Sequence, residues 1–84
     1  MGVASGVSMG LSHLPEASGK IHKKVFEKIG WECRREAEHI VMTHPNHENP
    51  ISIPNHKKVK KATLKAILRS IGVTDEQYSA FFHS

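Results

Sequence analysis

The sequence predicts an α+β fold: a three-stranded antiparallel sheet with helices packed on one face, in the order helix, three strands, helix, short helix. Three observations carry that expectation. Apolar residues recur at helical spacing near both ends of the chain, in "GKIHKKVFEKIG" and "KATLKAILRSIG". Between them stand three short segments rich in β-branched, aromatic or sulfur-bearing residues: "WECRRE", "HIVMTH" and "ISIP". A glycine closes each helical segment, Gly30 and Gly72, where a left-handed residue ends a helix.

Residues 1–13, "MGVASGVSMGLSH", are small, Gly/Ser-rich and nearly uncharged, and read as a flexible leader to a single domain over 14–84. Ser18 is a good N-cap for a first helix over 19–29. Ile21, Val25, Phe26 and Ile29 give that helix its apolar side, and Ile21, Val25 and Ile29 are expected in the core. In strand 1, Trp31 and Cys33 share a face opposite Glu32 and Arg34. Glu36-Ala37-Glu38 is a tight connection to strand 2, which makes an antiparallel hairpin. Strand 2 sends Ile40 and Met42 to the core and leaves His39, Val41 and Thr43 on the open side. "PNHEN" is expected as a longer polar turn, and Pro50 and Pro54 bracket a short edge strand. Leu64, Ile67, Leu68 and Ile71 define a second helix that starts near Lys60–Lys61 and ends at Ser70 or Ile71. Thr74 and Gln77 have capping-box spacing before "DEQYSAFF", a short helix with Tyr78, Phe81 and Phe82 on its apolar side.

Composition narrows the function. Twelve Lys+Arg against eight Asp+Glu give a net charge of +4, before any of seven histidines is protonated. A small basic domain points to a polyanionic partner, most often nucleic acid, or to an acidic protein. One cysteine, Cys33, allows no intrachain disulfide and suits a reducing compartment. No apolar run approaches the ~20 residues of a membrane helix, and no signal-peptide pattern opens the chain. The expectation is a cytoplasmic protein without a membrane partner. A chain of 84 residues leaves little room for a cofactor pocket, and no cofactor is expected.

Four features invite chemistry. His39 stands on the open face at the start of its strand, accessible to a ligand; a plain surface histidine has the same pattern. The run "HKKVKK" supplies His56, Lys57, Lys58, Lys60 and Lys61 as a phosphate-contact surface that Arg34 and Arg35 extend. His44 and His47 have H-x2-H spacing, but zinc signatures pair ligands closely at two places, so no metal site is expected. Cys33 reads as a small core hydrophobe rather than a nucleophile.

From Leu14 to about Tyr78 the chain resembles the HicA toxin family. The landmarks, in order, are Ser18-Gly19-Lys20 opening helix 1, Gly30-Trp31 closing it, Arg34, then His39 leading to His44-Pro45. Pro54 and His56 follow, and "TLKAILRSIGVT" (Thr63 to Thr74) matches the family's second helix. The resemblance implies a fold like that of double-stranded-RNA-binding domains. It also implies an mRNA interferase, a toxin that cleaves RNA without the ribosome and is covered by a HicB antitoxin. The family's catalytic histidine, in a Gly-Ser-His segment, maps onto His39. This chain departs from the pattern there, with Ala37-Glu38 in place of Gly-Ser.

One imidazole suffices for such chemistry, because RNA carries its own nucleophile, the 2′-OH. General acid–base catalysis by a placed side chain contributes about 10²–10⁴-fold. His56 is a candidate for a second proton transfer. The alternative is a module of the same fold that binds RNA through Arg34, Lys58, Lys60 and Lys61 without cutting it. A third class is a protein-interaction unit for an acidic partner.

Overall fold

The computed structural model describes residues 14–84, so the expected leader lies outside the described residues. The elements are α1 (Gly19–Lys28), β1 (Glu32–Glu36), β2 (His39–His44), β3 (His47–Pro54), α2 (Lys61–Ile71) and α3 (Asp75–Phe82). The strands form an antiparallel meander in the order β1-β2-β3. This is the expected α+β order. One sheet face, with Ile40, Met42, Ile51 and Ile53, is buried, whereas Arg35, His39 and Ser52 are exposed on the other.

Local chemistry sets the element ends. Ser18 caps α1, its Oγ accepting from the Ile21 N–H at 3.2 Å. Gly30 and Gly72 take positive φ, 105° and 75°, just after α1 and α2, a region that L side chains rarely adopt. The capping box of α3 is complete: Gln77 N donates to Thr74 Oγ1 at 3.1 Å and Thr74 N donates to Gln77 Oε1 at 3.0 Å.

The first helix differs from expectation. Ile21 is 46% exposed, and the buried stripe is His22, Val25 and Phe26 with Ile29 at its edge. Positions 22, 25, 26 and 29 follow the i, i+3, i+4, i+7 spacing of one face. A polar residue fits that stripe because His22 has a buried partner: its Nδ1 and the Tyr78 hydroxyl are hydrogen-bonded at 2.6 Å. In α3, Tyr78 is therefore core, Phe82 packs at the margin, and Phe81 is 37% exposed rather than packed.

The second hairpin is also tighter than expected. Its turn is Pro45-Asn46 alone, and β3 begins at His47, so Pro50 lies within β3 and does not bracket it. The Asn46 N–H donates to His44 Nδ1 at 3.0 Å, which closes the short turn. His44 and His47 pack on Trp31, with ring centroids 5.2 and 5.0 Å away. The third strand remains an edge strand, where a proline removes no ladder bond from a central position.

The start of α1 is pressed onto the end of β3. A Cβ on Gly19 would overlap the Pro54 carbonyl oxygen and lie 3.0 Å from Asn55 Cα. Gly19 N donates to the His56 carbonyl at 2.9 Å, and Val59 N donates to the Ala17 carbonyl at 2.8 Å. Val59, apolar amid lysines, is buried and anchors the basic segment.

Candidate active site

His39 is the first residue of β2, opposite Pro54 of β3, and is exposed on the open face. The turn that delivers it is Ala37-Glu38. Among the described residues no non-glycine has positive φ, so Ala37 stands where the family pattern has glycine without left-handed strain. Asn55 holds this turn at two points. Its backbone N–H donates to the Glu38 carbonyl at 3.0 Å, and its side-chain Nδ2 donates to the Ala37 carbonyl at 2.8 Å. Ala37 N in turn donates to the His39 carbonyl at 3.2 Å.

Two shallow depressions meet at His39. Arg35, Ala37, Glu38, His39 and Val41 line one; Glu38, His39, Asn55 and His56 line the other. Arg35 reaches this face through a register shift between Cys33 and Arg35. Strict alternation would have put Arg34 and Arg35 on opposite faces. The irregularity pairs Arg35 with Val41 while the Arg34 Nε donates to Thr43 Oγ1 at 2.9 Å. Both arginines thus attach to open-face residues. Glu38, exposed in both depressions, sets a carboxylate beside the histidine.

The structure therefore brings together Arg35, His39 and His56 from the sequence-predicted set. Arg34 lies apart, toward the other end of β1, in a depression with Trp31, Thr43 and His44. Its guanidinium is partnered by Glu32 at 2.8 Å. Lys57 and Lys58 are exposed in the bend that follows His56. Lys60 and Lys61 stand at the start of α2, Lys60 exposed and Lys61 half-buried. The Lys58–Glu16 pair, at 3.9 Å and well exposed, contributes little.

Helix α1 adds charge behind the turn. Lys23 Nζ donates to Glu36 Oε1 at 2.8 Å, and Lys20 lies 3.9 Å from the same carboxylate. The Lys23 hydrogen bond holds the Glu36 carboxyl below its ordinary range, and Glu36 in return raises the Lys23 ammonium. Among the described residues no three His, Cys, Asp or Glu side chains converge as a metal site. Cys33 is half-buried against the core.

Asn55 was absent from the sequence-predicted set. The signal available was "IPNH", an asparagine after proline at a strand end, which marks a turn former. Sequence does not say which carbonyls such an amide will reach.

The small α+β domain thus carries a shallow, open histidine site beside Arg35 and next to a lysine-rich segment, rather than an enclosing pocket. A family model for the HicA toxin of bacterial toxin-antitoxin systems matches residues 19–73, from the first residue of α1 to just past α2. The match spans well over half the chain, and the chain belongs to the HicA toxin family. No curated protein and no solved structure matches it. Among the described residues no helix is long and apolar enough to cross a membrane.

Proposed function

We propose that this chain is a metal-independent endoribonuclease toxin that cleaves mRNA in the cytoplasm, with His39 as general acid/base. The observation that supports this most is His39 itself, exposed at the head of β2 in depressions shared with Arg35 and His56. In the reaction the ribose 2′-oxygen attacks the adjacent phosphorus and loses its proton to His39. The bond from phosphorus to the 5′ oxygen breaks, and that oxygen takes a proton from His56 or water. The products are a 2′,3′-cyclic phosphate and a 5′-hydroxyl end. Arg35 stabilises charge that builds on the phosphate, as a preorganised cation does at a developing oxyanion. Lys57, Lys58, Lys60, Lys61 and Arg34 hold the flanking backbone through counterion release. A HicB-like antitoxin covering the open face would block the site.

The test is cleavage of end-labelled RNA by the purified protein, free of antitoxin and in chelator. Cyclic-phosphate ends are expected; RNA left intact would overturn the proposal. Glu38 beside His39 supports one second reading, a module that binds RNA without hydrolysis. Salt-sensitive binding with no cleavage would favour it.

A further inference from the structure

We propose that Asn55 is the positioning residue of this site, fixing the Ala37-Glu38 turn and through it the backbone of His39. The inference rests on the endoribonuclease reading. Beyond the hairpin's own pairing and the Ala37 N–H bond to the His39 carbonyl, the turn is held by Asn55. Ala37 and Glu38 are both exposed, and no buried side chain of either anchors them. Their carbonyls both accept from Asn55, at 2.8 Å from Nδ2 and 3.0 Å from the backbone N–H. The acceptor of Nδ2 is a carbonyl, so the amide orientation follows from chemistry.

Asn55 is itself held from the opposite side. Gly19 lies so close to Pro54 and Asn55 that no side chain fits between them, and Gly19 N holds the next carbonyl, that of His56, at 2.9 Å. A continuous rigid path therefore runs from the N-terminus of α1, through residues 54–56, to the turn and His39. Sites held by packed elements keep a reacting group within about 0.5 Å, and a misplacement of about 1 Å costs on the order of 10²-fold in rate. Asn55 does not act on substrate; it acts through His39.

The experiment compares the parent with Asn55→Ala, Thr74→Ala, His39→Ala and the Asn55→Ala/His39→Ala double variant. Thr74→Ala removes the remote cap of α3 and reports what reduced stability alone does. Asn55→Ala is expected to lower kcat about tenfold or more with KM within about twofold, the signature of a misplaced reacting group. Thr74→Ala is expected to leave both unchanged well below its Tm. The double variant should match His39→Ala, because the effect of Asn55 passes through that residue. Hydrogen exchange gives a readout independent of turnover: protection of the Ala37 and residue-55 amides should fall in Asn55→Ala while that of Val25 and Leu68 stays. A kcat equal to the parent's, a raised KM at unchanged kcat, a loss no greater than that of Thr74→Ala, or unchanged exchange at the turn would each overturn the inference. RNA left intact by the parent would instead sink the endoribonuclease reading, and cleavage that persists in His39→Ala would remove His39 from the mechanism.

Discussion

Acid should loosen this domain through one buried histidine. His22 is 0% exposed; its Nδ1 meets the Tyr78 hydroxyl, and its Nε2 has no partner among the described residues. Burial lowers its pKa from 6.5 to about 4. The groups facing the ring are the Tyr78 hydroxyl and the Phe82 ring, neither of which stabilises a cation strongly here. The unfolded chain takes up a proton at this residue near 6.5, and the folded chain resists until about 4. The stability from His22 is therefore fully present above pH 6.5, falls as pH drops, and is gone below about 4. At about 1.4 kcal/mol for each pH unit, the interval amounts to about 3 kcal/mol. A domain this small has about 4–10 kcal/mol in total, so the loss is a large share. Urea denaturation between pH 7 and pH 4 measures it, with His22→Leu as the comparison. The variant loses about 1–3 kcal/mol at pH 7, because the Tyr78 hydroxyl is left unpartnered. Its stability should then change much less with pH than the parent's. The Lys23–Glu36 pair also weakens in acid, but equally in both proteins, so the difference isolates His22. Equal pH dependence in the two proteins would refute the reasoning.

Two further outcomes follow from the packing and charge. Gly19→Ala should destabilise the domain by about 1–3 kcal/mol, since the added Cβ meets the Pro54 backbone and the chain must shift; chemical denaturation reads it. Replacing Lys57, Lys58 and Lys60 together with Gln should flatten the salt dependence of RNA binding. Its log–log slope should fall by about 2, at roughly 0.7 for each single-strand phosphate that a lysine no longer neutralises.

The sheet order, the element order, the Ser18 and Thr74 caps and the Gly30 and Gly72 stops were legible because they rest on local patterns. Ile40 and Met42 alternate cleanly, and Thr74 and Gln77 carry their capping geometry in their spacing. Ile21 misled because side-chain apolarity outranks a histidine in any pattern count, whereas the buried hydroxyl of Tyr78, 56 residues away, is what admits His22. The short Pro45-Asn46 turn was hidden for a similar reason: five polar residues read as a loop, yet the rings of His44 and His47 have Trp31 to pack against. At the candidate site, strand phase placed His39 on the open face. The irregularity that brings Arg35 beside it, and the hydrogen bonds of Asn55, depend on partners across strands and leave no mark in sequence spacing.

The most direct test of His39 as the catalytic group sets His39→Ala beside the parent, both purified without antitoxin, on the same RNA. Binding and cleavage are measured on the same samples. The variant is expected to bind RNA within about twofold of the parent, the lysines being intact, while cleavage falls by about 10²–10⁴-fold, the ordinary contribution of a general acid/base. Cleavage by His39→Ala at the parental rate would contradict that role.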